Sequence, residues 1–70
     1  MSRMKEVDLI AHEIADVLHI HHEQVNLSQV PGGWLADVYS CGETIQGSVL
    51  DDPIDAMNSL LEVAGKKDLN

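Results

Sequence analysis

The spacing of apolar residues changes twice along this chain, and that change limits the fold more than any other feature of the sequence. Val7, Ile10, Ala11, Ile14, Val17 and Leu18 lie on one stripe at the helical period, which predicts an amphipathic helix over residues 3–20. Ser2 precedes it as an N-cap, although Lys5 stands where a capping box would place Glu. The period then falls to two. Val25 and Leu27 alternate with Asn26 and Ser28, predicting a strand over 24–30. Pro31-Gly32-Gly33 breaks the chain, because proline lacks an amide donor and glycine reaches positive φ without steric cost. Trp34, Ala36 and Val38 alternate with Leu35, Asp37 and Tyr39 in a second strand, 34–40. Cys41-Gly42 is the next hairpin tip, followed by a third strand, 44–49, with Ile45 and Val49 on one face. Gly47 between them marks a bulge or a close approach.

Helical spacing returns after Asp51. Asp52 is placed to cap, Pro53 suits the first helical position and Asp55 follows in the first turn. Ile54, Met57, Leu60, Leu61 and Ala64 form the stripe of a helix over 53–64. Gly65 is expected to end it, with Lys66 and Lys67 complementing the negative helix terminus and 68–70 fraying. The order is helix, strand, strand, strand, helix. An antiparallel meander with one apolar face and two helices with one stripe each have one economical solution. The expected fold is therefore an α+β two-layer sandwich, a single domain over 1–70 with both helices on the same face of a three-stranded sheet.

Seventy residues bury only about 60% of the surface their unfolded chain exposes, so such a core is marginal and association with a second copy would support it. One cysteine excludes an internal disulfide. No apolar run approaches the ~20 residues of a membrane span, and no signal-peptide pattern opens the chain. Together these features give the expectation of a cytoplasmic protein.

Charge placement narrows the function. The four basic residues, Arg3, Lys5, Lys66 and Lys67, lie at the ends. Residues 6–65 hold no Lys or Arg but eleven carboxylates, and the formal net charge is −8. Gripping a phosphate backbone requires cations, so direct nucleic-acid binding and adhesion to an anionic membrane are not expected. Such a chain suits a protein partner with a basic surface. Solubility alone is the competing account of the same charge.

The α-β-β-β-α order in a chain of this length resembles the double-stranded-RNA-binding-domain fold. In that family the second helix opens with a lysine cluster that meets RNA, whereas this chain has Asp51-Asp52-Pro53-Ile54-Asp55 there. The resemblance thus implies the fold and not the RNA-binding residues. The stretch from Trp34-Leu35-Ala36-Asp37-Val38 through Gly47 to Asp52-Pro53-Ile54-Asp55-Ala56 and Leu60-Leu61 also resembles HicB-type antitoxins and small phage or prophage αβ-sandwich proteins. His21-His22-Glu23-Gln24-Val25 and Leu60-Leu61-Glu62-Val63-Ala64-Gly65 are similar to segments of HicA-type ribonuclease toxins, which implies His21 or His22 as a catalytic histidine. The Gly-Ser that precedes the histidine in those toxins is replaced here by His19-Ile20, and their basic surface is absent.

Side chains that carry chemistry are few. His12, His19, His21 and His22 form one cluster; His12 and His19 share a helical face, and Glu23 would add a third zinc-type donor. No fixed ligand signature accompanies them, so the cluster serves equally as a solvated helix end, a metal site or a pH sensor, and no metal or other cofactor is assigned. Cys41 has no neighbouring cation or base in sequence to activate its thiol. Asp51-Asp52 is better suited to capping than to acid–base work. Trp34 and Tyr39 are the only aromatics and fall on opposite faces of one strand, so that one packs in the core while the other is free to contact a partner. The expectation is a non-enzymatic, acidic protein-binding module, an inhibitor or antitoxin-like protein of phage or mobile-element origin. Its partner-binding residues are Asp37, Glu43, Asp51, Asp52 and Asp55 with Tyr39 and Trp34. The alternatives are a HicA-like ribonuclease using His21 or His22 and an oligomeric structural module.

Overall fold

The computed structural model describes residues 3–69, with side chains for residues 5–66; the proposed cap Ser2 lies outside them. Local chemistry sets most element ends. The first helix, α1 (Arg3–Leu18), ends with the last residue of the apolar stripe, two residues short of the expected range 3–20. His19 adopts a left-handed φ of 57°, and the Ile20 amide donates back to the Ala15 carbonyl at 3.0 Å. That six-to-one bond is the mark of a Schellman turn. It satisfies an orphan carbonyl and lays Ile20 against the core. A short 3₁₀ turn, His22–Gln24, follows.

Three strands come next: β1 (Val25–Val30), β2 (Gly33–Ser40) and β3 (Glu43–Gln46), antiparallel in the order β1-β2-β3. Both hairpins have two-residue loops. Pro31-Gly32 joins β1 to β2 with Gly32 at φ 96°, as a type II turn requires of its third residue. Gly33 therefore belongs to β2 and not to the break. At the second tip Cys41 and Gly42 take φ of 53° and 82°, the pair of positive values that defines a type I′ hairpin.

The third strand is shorter than its sequence pattern. Pairing runs regularly to Asp37↔Gln46 and resumes as an isolated bridge at Trp34↔Leu50. Three steps back along β2 thus match four steps forward from Gln46, which leaves one extra residue, a bulge. The cause lies across the layers. A Cβ on Gly47 would sit 2.7 Å from the Leu60 amide nitrogen and 3.1 Å from its Cα, so only glycine lets the sheet approach the helix backbone there. The adjacent Ser48 amide donates to Ser59 Oγ at 2.8 Å. The bulge turns Val49 outward, where it is exposed instead of sharing the face of Ile45.

The second helix, α2 (Pro53–Leu69), starts as expected: the Ile54 amide donates to Asp52 Oδ1 at 2.8 Å, and Pro53 fills the first position. It runs through Gly65, contrary to the expected stop. Gly65 is not among the glycines with positive φ, and one interior glycine costs only about 1 kcal/mol relative to alanine, less than the buried Leu60 and Ala64 contribute. A Cβ at Gly65 would meet nothing within 4 Å. Gly65→Ala is accordingly expected to stabilise the fold by about 0.5–1 kcal/mol and raise the melting temperature by several degrees. A circular-dichroism melt measures this, and an unchanged or lowered midpoint would count against a continuous helix.

Both helices cover one face of the sheet, which is the α+β sandwich. Ile14 of α1 and Ala56, Met57, Leu60 and Ala64 of α2 close over Ala36, Val38 and Ile45. Register explains the choice of face: Val25↔Val38, Leu27↔Ala36 and Val38↔Ile45 are cross-strand partners, so their side chains point the same way. Among the described residues no helix is long and apolar enough to cross a membrane.

Candidate functional site

Strand parity leaves the second face of the sheet uncovered. Its central row is Leu35, Asp37 and Tyr39 on β2, set between Asn26 and Ser28 on β1 and Thr44 and Gln46 on β3. Tyr39 is 59% exposed, among the most exposed of the large apolar side chains described. Asp37 and Leu35 are half-buried between their neighbours. Successive same-face residues on a strand lie about 6.8 Å apart, so this row spans about 14 Å. Trp34 takes the opposite role. It packs against the core, and its amide and carbonyl exchange hydrogen bonds with Leu50 at 2.7 and 3.0 Å.

The expected acidic surface is divided. Asp37 alone of the seven residues joins Tyr39 on the open face. Glu43 faces Ser40 across the hairpin, a residue buried with the helix side of the sheet. There Glu43 lines a pocket of about 320 Å³ with Val17, Leu18, His19, Ser40, Cys41 and Ile45. Asp51, Asp52 and Asp55 lie at the other end of β2, beyond the Trp34–Leu50 bridge. Asp51 and Asp55 are exposed, whereas Asp52 is half-buried and occupied in capping α2. Cys41 is a free, exposed thiol at the hairpin tip, its Sγ accepting from Ser40 Oγ at 3.7 Å.

The histidines are rearranged most. Because α1 ends at Leu18, His19 and His22 do not share a helical turn. The chain reverses instead and brings the His22 ring onto His12, with centroids 4.0 Å apart and planes inclined by 27°. Asp8 joins them from one turn earlier on α1, its Oδ2 3.6 Å from His12 Nε2. One donor atom from each of Asp8, His12 and His22 lies within 4.8 Å of the other two, and Glu23 is not part of this group. The spacing of Asp8 and His12, four apart on a predicted helix, was a readable signal. The return of His22 was not, since histidine rarely marks a left-handed helix end.

His22 is held in place by the 3₁₀ turn. Gln24 Oε1 accepts from the His21 amide, and Gln24 Nε2 donates to the Tyr39 carbonyl, both at 3.3 Å. His21 is exposed at the start of this turn. A shallow groove of about 260 Å³ beside the cluster is lined by Asp8, His22 and Glu23 over an apolar floor that includes Leu27 and Met57. Comparison with known proteins adds no relative: no family model, no curated protein and no solved structure matches the chain.

Proposed function

We propose that this chain is an acidic protein-binding module whose contact surface is the open face of the sheet. The observation that carries the reading is the exposed Tyr39, next to Asp37 and in one row with Leu35, on a face that neither helix covers. Tyrosine is enriched among residues that dominate binding energy, because it offers a large apolar ring with a polar tip. Charge has the complementary task. With eleven carboxylates and no Lys or Arg in residues 6–65, the field of the chain draws in a basic partner and orients it. Contact and attraction are thereby separated, the first on β2 and the second spread over the molecule, with Asp51 and Asp55 among its exposed sources. A cytoplasmic inhibitor or antitoxin-like protein would act in this way, by occupying the basic surface of its partner.

The division gives a kinetic test. A photo-crosslinking residue at Tyr39 is expected to capture the partner, while one at the exposed Glu62 of α2 is not. With that partner, Tyr39→Ala should weaken affinity by about thirtyfold or more through the off-rate, the ~2 kcal/mol of a dominant contact. Asp51→Asn with Asp55→Ser should instead slow association, and added salt should slow it further as the Debye length shrinks to about 8 Å near 0.15 M. Asp52 is retained so that the cap survives. An affinity indifferent to Tyr39→Ala, or an on-rate indifferent to salt, would remove this reading.

A further inference from the structure

We propose that Asp8, His12 and His22 form a binding site for a divalent transition-metal ion of the zinc type, completed by water. The three side chains belong to two separate elements, α1 and the 3₁₀ turn, yet their donor atoms converge within 4.8 Å. Zinc held by imidazole nitrogen and carboxylate oxygen has bonds of about 2.0–2.2 Å, which sets tetrahedral donors roughly 3.3 Å apart. The Asp8–His12 pair is already at 3.6 Å, while the His12 and His22 rings lie stacked and turn about their side-chain bonds to aim one nitrogen each at a shared ion. Two imidazoles and one carboxylate form a borderline donor set that favours zinc, copper, nickel or cobalt over magnesium or calcium, which prefer oxygen alone.

The backbone around the donors is fixed. Asp8 and His12 sit one turn apart on a helix. His22 is delivered by the left-handed turn at His19 and by the two Gln24 hydrogen bonds, one of which anchors it to β2. The donors reach solvent, His12 and Asp8 having side chains 52% and 64% exposed, so an ion has an entry path and water can fill the remaining positions. The acidic body of the chain, without a Lys or Arg from residue 6 to 65, attracts a cation to that path. An ion here would tie the middle of α1 to the segment leading into β1. This inference does not depend on the open sheet face.

Isothermal titration calorimetry of the intact chain with zinc chloride tests the site. One zinc per chain is expected at micromolar affinity, with no heat from magnesium chloride under the same conditions. His12→Ala and His22→Ala should each weaken zinc binding by about tenfold or more. His19→Gly, which removes an imidazole but keeps the left-handed turn, should leave it unchanged. Saturating zinc should raise the melting temperature of the wild type by several degrees and that of His22→Ala by much less. Circular dichroism of each variant separates lost ligation from lost folding. The proposal is overturned if zinc does not bind, if folded His12→Ala and His22→Ala bind as tightly as the wild type, or if His19→Gly abolishes binding while folded. In those cases Asp8 and His12 are only an exposed pair one helical turn apart.

Discussion

Leu60→Ala is expected to cost about 3 kcal/mol, a large share of the stability of a chain of this size. Leu60 is fully buried, and it lies where α2 meets the sheet beside Gly47. Truncating a buried leucine removes its transfer energy and leaves a cavity whose walls relax only in part, for about 2–5 kcal/mol in all. A chain of this size has roughly 4–10 kcal/mol to lose. The Gly47 backbone already lies against the Leu60 backbone, so the layers cannot close further to fill the space. Urea denaturation should show a lowered midpoint with an unchanged slope, and the melting temperature should fall by about 15 °C. A loss under about 1 kcal/mol would mean that the layers are looser here than described.

Gly33→Ala is expected to be comparably damaging for a different reason. Gly33 has φ of 142°, a region that L-residues rarely enter. A Cβ there would also lie 2.7 Å from the Leu50 carbonyl carbon and 3.2 Å from the Asp51 Cα. Both neighbours are backbone and cannot swing aside. Relief would break the Trp34–Leu50 hydrogen-bond pair, which sets the position of the α2 cap. Gly42→Ala provides the control. It too has positive φ, at 82°, but its Cβ would meet nothing within 4 Å. That change should cost only the dihedral strain, about 1–2 kcal/mol, against about 3 kcal/mol or more for Gly33→Ala. Equal losses in the two variants, measured by urea titration, would refute the clash and leave strain alone.

What the sequence shows of this fold is what short-range chemistry decides. Asp52-Pro53 starts α2 because a cap and a fixed φ act within three residues. Pro31-Gly32 and Cys41-Gly42 set two-residue loops for equally local reasons, and alternation along β2 assigns Trp34 to the core and Tyr39 to solvent. Features that depend on distant partners were hidden. The bulge after Gln46 answers to the backbone of Leu60, which no pattern in residues 44–49 encodes. Gly65 resembles a helix stop by itself, but buried Ala64 and Leu60 hold α2 in helical form past it.

The functional residues divide along the same line. Parity alone puts Asp37 and Tyr39 on one face. Only the register of the hairpin, Ser40↔Glu43, shows that Glu43 lies on the other. His12 and His22 are ten residues apart, and their contact depends on His19 entering a conformation that favours glycine. The five acidic members of the group of seven follow from charge placement along the chain, which is blind to position in space. The structure sorts the seven into a cap with two exposed neighbours, a half-buried aromatic, a hairpin rim and an open face.

The extra residue between Gln46 and Leu50 also shapes how copies of this chain meet in a crowded solution. β3 is an outer strand, and an outer strand offers its unpaired amides and carbonyls to any neighbour able to zip onto them. Here the zipper would run for four residues beginning at Glu43 and then meet a kink that throws Val49 aside, so strand-by-strand stacking has little length over which to propagate. The opposite border, β1, has six residues and no charge of its own. There, resistance to self-stacking must come from the mutual repulsion of two bodies that each carry −8. One border is guarded by shape and the other by charge, and only the second guard weakens as salt is added.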